Sequence, residues 1–230
     1  MTSKTPLIIT LLVMLSSCSP FPYADSPQAA EPIMIHLSSD LAWMEMPLEK
    51  CAGSLPETVL FIEYENLEDG QDADLYISLG APQNSANYEV FLVGEEKIIL
   101  VANKLIDLNS LDLTAIRSAY QFLNPKWQAW GYPTSNPANQ VFSDVILQGE
   151  MSSPHVGLAP NPSAMIDAVV SNPKAIGFIP QTWFSDEVQE IPLDAEQQDA
   201  LVLPILGMTD GAPSHAARSM LSCLNQSVQP

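Results

Sequence analysis

The chain has 230 residues, 47% of them hydrophobic, with 27 acidic side chains against 8 basic ones and a formal charge of −19 at pH 7. That length is enough for one large domain or two small lobes with a proper core. So acidic a surface repels nucleic acid and anionic lipid, which excludes both as partners held by charge alone.

The first element is a leader. Lys4 precedes the apolar run from Leu7 to Leu15, nine residues long. A membrane-spanning helix needs roughly 20, so the run reads as the core of a secretion signal. The residues Leu15-Ser16-Ser17-Cys18 resemble the lipobox of bacterial lipoproteins. That resemblance implies cleavage after residue 17 and acylation of Cys18, which would tether an extracytoplasmic domain to the bacterial cell membrane. One acyl chain holds a protein only marginally, at ~0.8 kcal/mol per buried methylene, whereas two or three hold it durably. Removing residues 1–17 takes one positive charge and leaves 213 residues with a net charge of −20. Cys51 and Cys223 are then the two remaining cysteines. An even pair in an oxidising compartment is read as a disulfide ahead of two free thiols. His36, His155 and His215 show no ligand spacing with either cysteine, so no metal site is expected.

Residues 18–32 contain four prolines among small and polar residues and carry no periodic apolar face, as a spacer would. Ile33 to Leu37 reads as a strand stopped by Ser38-Ser39-Asp40, and Leu41 to Ala52 as a helix interrupted near Pro47. Further strands are expected at Thr58–Tyr64, Ala73–Ser78, Val90–Val93 and Ile98–Ala102. The polar link Glu65–Asp72 is short for a crossover helix. Helices follow: Leu111–Phe122 capped by Ser110, then about Pro137–Gln148 and Ser163–Val170. Strands return at Ala175–Pro180, Val188–Ile191 and Leu201–Leu206, and a helix from about Ser214 to Asn225 closes the chain. Strands alternating with helices define an α/β fold class.

Several segments, taken in order, resemble the phosphate-type substrate-binding proteins of ABC transporters. They are Ile98–Asn103, Leu113–Tyr120, Trp127, Trp130-Gly131, Phe142, Asn172–Phe178, Leu203–Thr209 and Ala216-Ala217-Arg218. The resemblance spans most of residues 33–225. It implies a two-lobed type II periplasmic-binding-protein-like fold, each lobe a mixed sheet flanked by helices, with a ligand held in the cleft between lobes. Lobe I would comprise 33–103 and 185–230, and lobe II 104–184. Cys51 and Cys223 would then meet within lobe I. The implied partners are a small polar ligand, an ABC permease, and the bilayer through acylated Cys18, for a chain that works as a monomer without cofactor.

Ligands of open α/β sheets sit beyond the carboxyl ends of strands, where helix N-termini offer unpaired N–H groups. The candidate ligand contacts are therefore Ser38, Ser39 and Asp40 after the first strand, Ser78 after the third, and Thr134, Ser135, Asn136 and Asn139 in lobe II. Each has a plainer reading as a helix cap or turn residue. The chain departs from the family at the anion loop. Where phosphate binders carry Ser-Gly-Thr, Thr134-Ser135-Asn136-Pro137-Ala138 lacks the glycine and places a proline where an N–H donor is wanted. The family's carboxylate after the third strand falls at Leu79, and no arginine lies near the loop. Phosphate and other oxyanions stay among the candidate ligands, with phosphate affinity expected far below that of a dedicated scavenger. No nucleophile elbow, zinc-protease motif or phosphate loop is present, so an enzyme is not expected. The rival reading is a degenerate binding fold that acts as a sensor or partner-binding scaffold at the membrane.

Overall fold

A computed structural model describes residues 31–55, 58–64, 73–81 and 87–227. The leader, Cys18, the spacer up to residue 30 and the link 65–72 lie outside the described residues. The elements, in order, are β1 (Glu31–Leu37), α1 (Glu45–Ser54), β2 (Thr58–Glu63), β3 (Leu75–Leu79), β4 (Tyr88–Asn103), α2 (Leu113–Gln121), β5 (Gln128–Gly131) and α3 (Pro137–Val145). They continue as β6 (Gly157–Leu158), α4 (Pro162–Ser171), β7 (Ala175–Pro180), β8 (Val188–Glu190), α5 (Ala195–Ala200), β9 (Val202–Asp210) and α6 (His215–Ser227).

The strands run β2-β1-β3-β9-β4-β7-β5-β6 across one continuous sheet, with β8 added against β4. β1 lies parallel to β2 and β3, and β9 runs antiparallel to both β3 and β4. β4 joins the two halves of the molecule. Residues 88–97 pair with β9, whereas 98–102 pair with β7 and 101–103 with β8. The two separate strands expected at Val90–Val93 and Ile98–Ala102 are thus one strand. Gly94 marks a shift in register rather than a turn. The intervening polar residues Glu95, Glu96 and Lys97 fit within the strand, where Glu96 is buried and hydrogen-bonded.

The core follows the pattern of the sequence. Ile33, Ile35 and Leu37 alternate onto one face of β1, fully buried. Leu48 and Cys51 of α1 and Ala217, Met220 and Leu224 of α6 are buried in the same cluster. A disulfide joins Cys51 to Cys223, with 5.8 Å between their Cα atoms. The other half packs around aromatic rings. Phe142 stacks on Phe178 with centroids 4.1 Å apart, and the buried Tyr120 donates to the Trp130 carbonyl at 2.8 Å. Helix starts are set by caps, and α2 begins after Asp112, whose carboxylate accepts from the Ala115 N–H. Ser110, the expected cap, belongs to a preceding 3-10 turn. Pro47 does not interrupt α1, because it stands in the first turn, where its missing N–H breaks no helical bond.

Candidate functional site

Three chain segments converge where the halves meet. The first is the turn after β1. The Ser38 N–H donates to the Ile77 carbonyl at 2.9 Å, and Ser39 opens a 3-10 turn that buries Asp40 to 4% exposure. The second is the loop before α3. The Asn136 carboxamide donates from Nδ2 to Asp40 Oδ2 at 2.9 Å. The third follows β7, where Trp183 donates its indole N–H to the Asp40 carbonyl at 2.8 Å. Asp40 is thus held by both halves of the fold, although 96 residues separate it from Asn136.

Burial raises the Asp40 carboxyl from 3.8 to about 6, and the bond from Asn136 opposes this by favouring the anion. Ser38 favours the anion too. Asp40 Oδ1 nevertheless has no bond of acceptable geometry. Neither has the Tyr132 hydroxyl, 1% exposed, whose ionisation is suppressed first by burial and then by the charge on Asp40. The indole nitrogens of Trp43 and Trp130 are likewise buried without a bond of acceptable geometry. Such atoms are costly and mark places where water or a ligand group completes the network.

The N-terminus of α3 is occupied by its own chain. Pro137 has no N–H. The Ala138 N–H donates to Asn136 Oδ1 at 2.8 Å, and the Asn139 and Gln140 N–H groups donate to the Asn136 carbonyl at 3.0 and 3.2 Å. The donors that would cradle an oxyanion at a helix start are therefore engaged. Pro137 also presses on the other half. A Cβ placed on Gly80 would lie 2.7 Å from Pro137 Cβ, and Gly80 adopts a φ of +70°.

The sequence candidates separate on this geometry. Asp40 and Asn136 are bonded to each other, with Ser38 beside them. Ser78 turns inward, donating to the Gly80 carbonyl at 2.8 Å. Asn139 lies against Gly131, where a Cβ would come within 3.3 Å of its Oδ1. Ser39, Thr134 and Ser135 are exposed at the rims of the two loops. Leu79 is buried at the end of β3, and Asp40 is a buried carboxylate at the junction. Arg117 directs its Nε to the Ile146 carbonyl at 2.6 Å, at the far end of α3. Sequence reasoning passed over Tyr132, which directly follows the carboxyl end of β5. It also passed over Glu96 and Thr182 at the crossings between the halves. There Thr182 donates to Glu96 from its N–H at 3.2 Å and from its hydroxyl at 2.9 Å. Burial raises the Glu96 carboxyl, and these bonds pull it back. Among the described residues, no group of three or more His, Cys, Asp or Glu side chains could hold a metal ion.

This arrangement of two α/β halves, crossed by β4 and by the segment after β7, is the type II periplasmic-binding-protein fold. A phosphate ABC transporter substrate-binding protein with bound phosphate from Clostridium perfringens superposes with a TM-score of 0.72 at 13% identity, over 84% of this chain and 93% of that one. An ABC-type phosphate transport receptor from Vibrio cholerae gives 0.60 at 18% identity, again over 84% and 93%. The regulatory domain of CcmR from Synechocystis, in complex with 2-PG, gives 0.63 at 11% identity over 86% and 97%. No protein-family profile and no curated protein matches the sequence.

Proposed function

We propose that the chain is an extracytoplasmic binding lipoprotein, anchored through Cys18, that holds a small polar ligand between its two lobes and presents it to a membrane permease. Lobe I in this reading holds 33–103 and 185–230, and lobe II the residues between. The observation that carries the binding role is the unpartnered, buried Asp40 Oδ1 beside a bond that joins the two halves, with the Tyr132 hydroxyl, also unpartnered, close enough to feel the charge on Asp40. Ligand contacts are assigned to Asp40, Asn136 and Tyr132, with Ser38, Ser39, Thr134 and Ser135 at the rim and Ser78 and Asn139 supporting the turns. Binding rather than catalysis is the role of the phosphate receptors that share the fold, and it is the role assigned to this site.

The ligand is one that donates hydrogen bonds. An ionised Asp40 accepts and does not donate, the α3 N–H groups are engaged, and no arginine enters the site, so a phosphate dianion would meet like charge with little compensation. Each charge-assisted bond is worth ~1.5–3 kcal/mol, so losing two lowers affinity by roughly two to four decades. Calorimetry on the purified protein should show weak or no heat with phosphate. A thermal-shift screen of oxyanions, amino acids and small polar metabolites should find a stabilising compound whose effect is lost in Asp40→Ala. Submicromolar phosphate binding that depends on Ser39 or Ser135 would overturn the ligand assignment.

A second reading is supported by the engaged helix terminus and by the Asn136–Asp40 bond, which joins the halves directly. In that reading the fold serves as a sensor or scaffold for a membrane partner. The similarity to the CcmR regulatory domain shows the same fold outside transport receptors. A screen that stabilises nothing favours this reading.

A further inference from the structure

The acidity of the chain is unevenly distributed. Residues 104–184 hold four basic and five acidic side chains, so this stretch accounts for −1 of the total −19. No acidic residue occurs between Asp112 and Asp144. Within that interval the loop leaving α2 reads Phe122-Leu123-Asn124-Pro125-Lys126-Trp127. Phe122 is 64% and Leu123 72% exposed, unusual for large apolar side chains placed side by side.

The loop is built to hold this presentation. Asn124 Oδ1 accepts from the Lys126 and Trp127 N–H groups at 2.9 and 3.2 Å, and its Nδ2 reaches Ser118 Oγ at 3.4 Å. Lys174 approaches from the turn before β7 and donates to the Pro125 carbonyl at 3.2 Å. The Lys126 ammonium stands 4.5 Å from the centre of the Trp127 ring. Neither lysine forms an ion pair among the described residues, so two cations and two apolar side chains share one fixed tip.

We propose that this tip docks on the phospholipid bilayer, with Phe122 and Leu123 entering the boundary between headgroups and acyl chains while Lys126 and Lys174 meet lipid phosphates. Phe, Leu and Trp flanked by Lys is the composition that interfacial segments use. The whole-chain charge opposes contact with anionic lipid, but its influence decays over ~8 Å at physiological ionic strength, and the near-neutral stretch carries the tip. The proposal rests on the anchoring at Cys18. Twelve residues separate Cys18 from Glu31. Extended, they reach about 40 Å, so the bilayer stays within range of the domain, and tethering raises the effective concentration of a weak contact.

The test uses the full-length lipidated protein in phosphatidylethanolamine and phosphatidylglycerol vesicles whose acyl chains are brominated near the headgroup. Tryptophan emission should be quenched. The quenching should fall in Trp127→Phe and in the double variant Phe122→Ser/Leu123→Ser, and Lys126→Gln/Lys174→Gln should weaken it and remove its sensitivity to salt. These positions are exposed or half-buried, and unchanged melting temperatures would certify the fold. Wild-type protein retained on vesicles but unquenched, or quenched equally in all variants, overturns the docking. Failure of the anchor reads differently: the wild type leaves the vesicles and mass spectrometry shows Cys18 unmodified. In that event quenching of the unanchored chain at high lipid concentration decides the matter, and its absence again overturns the docking.

Discussion

Replacing Asp40 by Asn should change the pH dependence of stability more than its value at any one pH. The carboxyl is 4% exposed, and burial lifts it from 3.8 to about 6. A tenfold change in proton affinity corresponds to about 1.36 kcal/mol, so the difference between unfolded and folded states amounts to about 3 kcal/mol. The sign follows from which state holds the proton more tightly. A carboxyl raised on folding favours the protonated fold, so the folded chain gains this stabilisation in full below about pH 4. It is lost progressively as pH rises to about 6, above which the fold carries a buried anion. Asp40→Asn cannot titrate. Its stability minus that of the wild type should therefore increase by about 3 kcal/mol between about pH 3.5 and 7.5 and be flat on either side. Urea unfolding of both proteins across that range measures the difference, and groups common to the two cancel. Parallel curves, or a difference that shrinks with rising pH, would show that Asp40 is not buried against Asn136 as described.

Tyr132→Phe removes a buried hydroxyl with no partner, so it should leave stability within about 0.5 kcal/mol of the wild type, where a hydrogen-bonded tyrosine would lose ~1 kcal/mol. It should weaken any ligand found in the thermal-shift screen. Gly80→Ala should separate the halves or destabilise the fold, because its φ of +70° and the 2.7 Å approach of Pro137 both oppose a Cβ. Small-angle scattering and thermal melts would register either outcome. Reducing the Cys51–Cys223 disulfide opens a loop of sequence separation 172 and should cost up to ~5 kcal/mol by loop entropy, visible as a fall in the urea midpoint. Cys18→Ala should release the protein from membranes or stall its processing, and equal retention in detergent partition would refute the acylation.

Much of the fold was legible because buried strands and capped helices write their periods locally. Ile33, Ile35 and Leu37 alternate, and the strand from Ala175 to Pro180 is apolar throughout and buried on both faces. The failures were also local. Gly94 with Glu95, Glu96 and Lys97 imitates a turn, and only the distant Thr182 makes a buried Glu96 tolerable within β4. β5 and α5 have four and six residues, too few for a period to stand out. Of the serine, asparagine and aspartate residues singled out at strand and helix ends, Asp40 and Asn136 are bonded to each other at the junction. Their roles were not legible, because capping, turn closure and ligand contact use the same side chains.

Asn136 shows why such roles resist reading in one dimension. Its carboxamide oxygen caps α3 while its nitrogen holds Asp40 across the junction, so one residue both engages a helix-start donor and bonds the buried carboxylate. At that loop Pro137 has no N–H and the Ala138, Asn139 and Gln140 N–H groups are engaged, so the group left open at the junction is a carboxylate acceptor. The superposed phosphate receptors therefore inform the scaffold more than the cargo. In the proposed binding role Asp40 Oδ1 needs a donor from outside, so its chemistry separates a receptor for amines or hydroxyls from a scaffold that closes on itself. If Asn136→Ala exposes the carboxylate and raises affinity for a donor ligand, the bond was a competitor. If it only loosens the fold, the bond was structural.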